Sequence, residues 1–139
     1  MTAGLETTIN SLLQATNMLS GFPWSLVCTE TGLLVASAGS EDLSLVAAGV
    51  TSLFDDIVGR AERDLEFEGV DELTVLDRRQ GRFVVRPLLA NDAGERLFLV
   101  VLVPRDKTWR RATNQLAKRL VPLLEPLIDL GDDGGGDAD

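Results

Sequence analysis

The sequence of 139 residues contains no histidine and a single cysteine, Cys28. Without histidine the chain lacks the most frequent general base and metal ligand, which excludes Ser-His-Asp and Cys-His arrangements and zinc sites that use histidine. One cysteine cannot form a disulfide within the chain, and sparse cysteine favours a reducing compartment. We therefore expect Cys28 to be a small buried side chain rather than a nucleophile.

Positive charge is also scarce. The 13 Lys and Arg residues are outnumbered by 22 Asp and Glu residues, which gives a net charge of −9. Nucleic-acid binding depends on positive charge collected on one face, so this balance argues against a nucleic-acid partner and against an anionic membrane surface. The apolar content of 45% is sufficient for the core of one domain of this length.

Long hydrophobic runs are missing as well. The longest, Leu97 to Val103, has seven residues, whereas a transmembrane helix needs roughly 20. The first residues carry neither the basic segment nor the apolar stretch of a signal peptide. We therefore expect a cytoplasmic protein with no membrane insertion.

Few residues are suited to catalysis or phosphate binding. Neither lysine, Lys107 or Lys118, follows a phosphate-binding glycine loop. The acid pairs Asp55-Asp56 and Asp71-Glu72 could serve as general acid and base or as metal ligands, but adjacent acids on a helix or strand point in different directions. We favour solvated surface for both pairs and expect no enzyme activity, cofactor or metal.

Helical and strand patterns alternate along the first half of the chain. Apolar residues recur at helical spacing over 5–19. Short apolar segments at 24–28 and 33–37 flank a turn and predict a β-hairpin. Ser40 is a candidate N-cap for a long helix that extends to about Leu65.

Three strands and a helix are predicted in the second half. The strands at 72–77, 82–88 and 96–103 are joined by short turns, which indicates an antiparallel meander. Pro87 cannot donate to a ladder, so we expect it at a bulge or near a strand end. Helical spacing returns from Thr108 onwards.

These elements define a fold class. The strand at 96–103 is apolar at every position, which is typical of a strand buried on both faces. We therefore predict an α+β fold of order α-β-β-α-β-β-β-α: a three-layer α/β/α sandwich with a five-stranded antiparallel sheet, the middle helix on one face and the terminal helices on the other. The domain is expected to span 1–130. Residues 131–139 contain only Gly, Asp and one Ala, which predicts a disordered acidic tail.

The middle helix carries two stripes of residues when they are placed at about 100° per residue. The face predicted to cover the sheet consists of Leu43, Val46, Ala47, Val50, Phe54, Ile57, Ala61 and Leu65. A second stripe consists of Leu45, Gly49, Leu53, Asp56 and Arg60. Glycine inside a helix costs about 1 kcal/mol relative to alanine, and close approach of another backbone would explain it. We interpret the second stripe as a dimer interface in which Asp56 meets an arginine of the partner; the alternative is a solvated flank. Neighbouring residues that could contact a further protein are Ala48, Ser52, Gly59 and Arg63.

Arginines are the remaining chemically distinctive residues. Any of Arg60, Arg63, Arg78, Arg79, Arg105, Arg110 and Arg111 could act as an arginine finger beside a GTPase phosphate, but salt bridges and solvation are the favoured interpretation. Six of the 13 basic residues lie between Arg105 and Arg119. They form a local basic patch for an acidic partner or for the acidic tail.

Four segments carry a family resemblance: the hairpin over 26–37, the long helix after it, the strand containing Val84 to Leu88 and the apolar strand Leu97 to Val103. Together they resemble the roadblock, or dynein light-chain type, domain over roughly residues 5–120. The resemblance implies a homodimer in which the middle helices pair and the third strands join two sheets. It also implies a non-catalytic protein that associates with a small Ras-like GTPase without inserting an arginine finger. Two alternatives remain: a scaffold or light-chain-type adaptor with no effect on GTP turnover, and, less favoured, a small-molecule sensor.

Overall fold

The computed structural model describes residues 2–39 and 42–128, with the backbone alone for 2 and 3. Its elements are α1 (Thr2–Ser20), β1 (Trp24–Thr29), β2 (Leu34–Ala38), α2 (Ser44–Asp64), β3 (Leu73–Asp77), β4 (Gly81–Ala90), β5 (Arg96–Val103), α3 (Arg110–Leu124) and a 3₁₀ turn at Glu125–Leu127. The predicted order of helices and strands is confirmed. The predicted tail at 131–139 lies outside the described residues.

The five strands form one antiparallel sheet in the order β2-β1-β5-β4-β3. The last three strands are a meander, as predicted. The register between β4 and β5 shifts between Pro87 and Leu89, so Pro87 sits at the expected irregularity because it has no N–H to donate.

The central strand β5 is buried on both faces, which confirms the prediction from its unbroken apolar sequence. On one face Leu97, Leu99, Val101 and Val103 pack with α1 and α3. On the other face Phe98, Val100 and Leu102 pack with α2. The three-layer arrangement is therefore the predicted one.

The buried face of α2 differs from the prediction. It consists of Ala47, Thr51, Phe54, Val58 and Ala61. Thr51 can be buried because its hydroxyl lies 2.9 Å from the Cys28 Sγ, in hydrogen-bonding contact. Ile57, which was assigned to this face, is 39% exposed at its edge, and Leu65 follows the end of the helix and is 64% exposed.

The start of α2 also lies later than predicted. The helix begins at Ser44, whose backbone N–H donates to the Asp42 Oδ1 at 3.0 Å. A carboxylate at this end complements the helix dipole, and hydrogen bonding to the backbone and side chain of Ser44 lowers the pKa of Asp42. The predicted N-cap Ser40 lies outside the described residues, four positions before the helix.

The hairpin between β1 and β2 touches α2 through Gly32. Its φ of 87° lies in the left-handed region, and a Cβ at this position would lie 2.7 Å from the Ala48 Cα. Only glycine allows both the turn and so short a distance. The position of α2 over the sheet is thus fixed next to the hairpin.

Candidate interaction surface on helix α2 and strand β3

The predicted interface stripe lies on the outward face of α2. Leu45 is 84% exposed and Leu53 is 58% exposed, and Gly49, Asp56 and Arg60 are also exposed. Apolar side chains this open to water gain roughly 1.5–3 kcal/mol each when they are fully buried. The structure thus leaves the stripe free for contact, while its role in dimerisation stays a prediction.

The two helical glycines have different surroundings. A Cβ on Gly49 would meet nothing within 4 Å, whereas one on Gly59 would lie 3.8 Å from Arg63 Nη1 of the same helix. Neither glycine is required by packing within the protomer. Contact with a second molecule therefore remains open as the reason for Gly49.

Asp56 and Arg60 pair with each other within one protomer. The Arg60 Nε donates to Asp56 Oδ2 at 3.1 Å, one helical turn away. Both side chains are well exposed, and such a pair contributes only about 0.3–0.5 kcal/mol. If Asp56 left Arg60 and paired with an arginine of a second protomer, the first protomer would therefore lose little stability.

Further apolar residues lie on the flank of α2 between the stripe and the buried face. Val46 and Val50 are half-buried and pack beside the core on the α2 side, and Ile57 is at the same edge. These three were predicted to be buried. Helical geometry places them next to Leu53, so they widen the outward apolar face toward β3 and β4.

Helix α2 crosses β1 and β2 and leaves the sheet partly open beyond them. On this open part, Phe83 of β4 pairs with Val75 of β3, and Leu73 lies next along β3. Val75 is 48% exposed, and Phe83 is held edge-on to Trp24 at 5.8 Å between ring centroids. We define the α2–β3 surface as Val46, Gly49, Val50, Leu53, Ile57, Leu73, Val75 and Phe83.

The two outer strands of the sheet differ in how their edges are protected. At β2, the Asn10 Oδ1 accepts the Ser37 N–H at 3.1 Å, and the Asn17 Nδ2 donates to the Ala38 carbonyl at 3.1 Å. These two asparagines of α1 occupy backbone groups that another strand would need.

The edge of β3 has no comparable protection. Among the described residues, the backbone of Thr74 to Leu76 makes no hydrogen bond outside the β3–β4 ladder. The strand has no proline and no charge before Asp77, and these are the features that usually keep an edge strand from pairing. Strand addition is therefore favoured at β3.

An ionic cluster fixes α2 against β5 at the other side of the helix. Arg96 Nε lies 3.3 Å from Asp55 Oδ1, and Arg96 Nη2 lies 3.6 Å from Glu62. The Arg96 backbone N–H donates to Glu30 at 2.9 Å. Burial raises the pKa of Asp55, and Arg96 only partly offsets this because Glu30, Asp56 and Glu62 are near. Asp55 thus belongs to a structural cluster rather than to solvated surface, which corrects the interpretation from sequence.

The residues proposed for a further partner lie on a third strip of α2. Ala48 and Ser52 are exposed, Gly59 is half-buried, and Arg63 is exposed with an ion pair to Asp64 at 3.5 Å. Ala48 also forms the backbone surface against which Gly32 packs. This strip faces away from β3, so it would stay accessible if the α2–β3 surface were covered.

A groove of about 710 Å³ lies where the end of α2 approaches the start of α3. Its apolar side is formed by Ile57, Leu65 and Phe67, and its polar side by Arg86 and Arg110. The groove opens to solvent beside β3, so it continues the α2–β3 surface.

Cys28 is fully buried, as predicted. Burial raises its pKa to about 11, and the contact with Thr51 opposes this only in part. At neutral pH the residue is a thiol with no base next to it. Over the described residues, no group of three or more His, Cys, Asp or Glu side chains could hold a metal ion, and no helix is long and apolar enough to span a membrane.

Solved structures provide the comparison with known proteins. MglB of Myxococcus xanthus superposes with a TM-score of 0.72 at 16% identity over 91% of this chain and 94% of that one. The gliding protein MglB of Thermus thermophilus gives 0.73 at 14% identity, covering 88% and 92%. A Roadblock/LC7 domain of Streptomyces avermitilis gives 0.64 at 14% identity, covering 85% and 95%.

The chain therefore has a roadblock-type fold, as the sequence resemblance implied. No family model matches the sequence, and no curated protein matches it. The similarity is thus one of structure.

Proposed function

We propose that this chain forms a homodimer through the α2–β3 surface and that the dimer binds and regulates a small Ras-like GTPase in the cytoplasm. The observation that carries the proposal is the continuous apolar surface from the outward side of α2 to the unprotected edge of β3. The roadblock-type fold and the likeness to MglB support it. The proposed domain spans residues 1–130, with residues 131–139 as a separate tail.

Dimerisation is argued from what the surface leaves exposed. Leu53, Ile57 and Val75 present apolar side chains beside a strand with free backbone groups. A second copy related by a twofold axis offers the same residues in return, so apolar burial and strand pairing can occur together. Isologous contact also brings the two Gly49 positions within reach of the facing helix.

The dimer can be tested with one pair of leucines. Leu53→Asp places a charge in the surface, while Leu19→Asp places the same charge at an even more exposed leucine, 89% open, on α1 outside it. We expect light scattering after size exclusion to give a monomer for Leu53→Asp and a dimer for Leu19→Asp and for the parent. If Leu53→Asp stays dimeric with an unchanged dissociation constant, the interface lies elsewhere.

The GTPase contact is proposed on the strip formed by Ala48, Ser52, Gly59 and Arg63, which two paired α2 helices would leave accessible. Arg63→Glu reverses a charge there, and Arg119→Glu on α3 is the matched control. We expect co-elution with a small Ras-like GTPase from the same genome to be lost for Arg63→Glu and kept for the control. If the parent co-elutes with no such GTPase in either nucleotide state, the proposed partner is wrong.

Regulation and passive scaffolding are distinguished by turnover. The rate of GTP hydrolysis by the bound GTPase is measured with and without the parent protein. A changed rate is expected for a regulator. An unchanged rate with intact binding would support the scaffold alternative instead.

A further inference from the structure

We propose that the acidic residues of segment 129–139 bind an arginine-rich surface at the turn end of strands β3 and β4. We define the arginine surface as Arg78, Arg79, Arg82, Arg105 and Arg110. The inference is independent of the proposed GTPase and of the dimer.

The fold brings these arginines together from three segments. A Cβ on Gly81 would lie 2.6 Å from the Val103 carbonyl oxygen, so the start of β4 lies directly against the end of β5. This places the turn with Arg78 and Arg79 beside the residues that follow β5. Arg105 confirms the juxtaposition, since its Nη1 donates to the Asp77 carbonyl at 3.5 Å.

Trp109 joins the third segment to the other two. The guanidinium carbons of Arg82 and Arg110 lie 4.4 and 4.6 Å from the centre of its ring. Its Nε1 donates to Glu72 at 3.3 Å. The stacking orders two guanidinium groups, and it occupies their faces rather than the N–H groups that bind an anion.

Carboxylates of the described residues neutralise little of this charge. Glu72 pairs with Arg110 at 3.4 Å, and among the described residues the other four arginines make no ion pair. The Asp77 carboxylate accepts the backbone N–H groups of Gln80 and Arg79, which lower its pKa. Asp71 lines the same groove as Glu72 and Arg110, and Asp106 follows Arg105 in the sequence. Among the described residues, only one of the five arginines is therefore in an ion pair, in a chain of net charge −9.

Segment 129–139 has the complementary composition. It contains five aspartates and no cation. The rest of the chain is acidic, so it repels the parts of a long external polyanion that extend past the arginine surface. A short acidic peptide can lie within the arginine surface and avoids this repulsion. A segment attached to the same chain also has an effective concentration on the order of millimolar.

The segment is long enough to reach. Helix α3 has 15 residues, which corresponds to about 22 Å between its start beside Trp109 and its end. The 11 residues of segment 129–139 span up to roughly 37 Å when extended. The last aspartates can therefore reach the arginine surface, with Lys118 and Arg119 of α3 along the way.

Iodide quenching of tryptophan fluorescence tests the proposal in the full-length chain. Trp24 is 3% exposed, so quenching by this anion reports mainly on Trp109. We compare the parent with a tail variant, Asp132→Asn, Asp133→Asn, Asp137→Asn and Asp139→Asn. The control removes the same charge from other exposed acids through Glu6→Gln, Glu66→Gln, Glu68→Gln and Asp92→Asn.

A docked segment shields Trp109 from iodide by its charge. We expect the quenching constant of the tail variant to exceed that of the control roughly threefold, since a change of about one kT in potential alters local anion concentration by that factor. The difference should vanish in high salt and with Arg79→Gln and Arg105→Gln in both variants. Equal constants for tail variant and control would overturn the proposal and leave the surface open to an external acidic partner.

Discussion

Replacing Gly49 with alanine should affect the folding of one protomer and the association of two protomers in opposite directions. Within the protomer a Cβ at Gly49 meets nothing within 4 Å, so alanine adds no clash. Glycine in an exposed helix interior is about 0.8–1 kcal/mol less favourable than alanine. We therefore expect the free energy of unfolding of the monomer to rise by about that amount.

Association should weaken if a facing helix lies close to Gly49. An added methyl group in a tight contact forces the two backbones apart, and overpacking of this kind typically costs about 1–3 kcal/mol. The dimer dissociation constant should then rise by roughly 5- to 150-fold, since about 1.4 kcal/mol corresponds to a factor of ten. Gly49→Arg should abolish the dimer while leaving a folded monomer.

Gly59→Ala is the control for this experiment. Its Cβ would lie 3.8 Å from Arg63 Nη1, an ordinary contact, so the same gain in helix propensity is expected. Gly59 lies outside the α2–β3 surface, so dimerisation should not change. Urea denaturation of dilute protein measures folding, and sedimentation equilibrium measures association. If Gly49→Ala and Gly59→Ala have the same effect on both, the reasoning about Gly49 is wrong.

Three further predictions concern the core and its charges. Phe98→Ala should lower the free energy of unfolding by about 3–5 kcal/mol because Phe98 is fully buried on β5; a loss below about 1 kcal/mol in urea would contradict the assigned core. Cys28 should react with a thiol reagent only as fast as the protein unfolds, because it is buried and its pKa is about 11; fast labelling of the native protein would show that α2 opens locally. The raised pKa of Asp55 favours its protonated form in the fold, so its contribution to stability is present below the ordinary pKa of 3.8 and is lost as pH rises through the higher folded pKa. Asp55→Asn should therefore make the melting temperature depend less on pH across that window. An unchanged pH dependence would argue against the pKa shift.

The layers of the fold could be predicted because the sequence of β5 alone indicates that this strand is buried on both faces. A strand that is apolar at all of its inner positions needs cover on both faces, and the two terminal helices and α2 provide it. The short turns of the meander and the position of Pro87 followed from local chemistry alone. These features depend on residues that are close together in the sequence.

The details of α2 could not be predicted in the same way. Thr51 is polar and was not assigned to the core, and its burial depends on Cys28, 23 residues earlier. Ile57 is apolar, yet it lies on the flank of α2 beside the open part of the sheet, where it is 39% exposed. Burial here depends on which strands the helix crosses, and helical periodicity does not contain that information.

The arginine surface and the difference between the sheet edges also come from tertiary structure. The arginines at 78–82 and 105–110 are more than 20 residues apart in the sequence, and only the pairing of β4 with β5 brings them together. Likewise, Asn10 and Asn17 gave no signal in the sequence because their partners are backbone groups of β2. The candidate stripe on α2 was identified from the sequence pattern, whereas a role for β3 was implied only by the family resemblance, without naming the residues Leu73, Val75 and Phe83.

The difference between the two edges of the sheet limits how many copies of the chain can join by strand pairing. A protomer with two open edges can add copies without end and produce a filament, as in cross-β assemblies. Here Asn10 and Asn17 of α1 occupy the β2 edge, which leaves β3 as the place where another strand can add. Two copies joined at β3 would both terminate at a blocked β2. Pairing by this route stops at two, and the same asparagines that stabilise one protomer would keep the assembly finite.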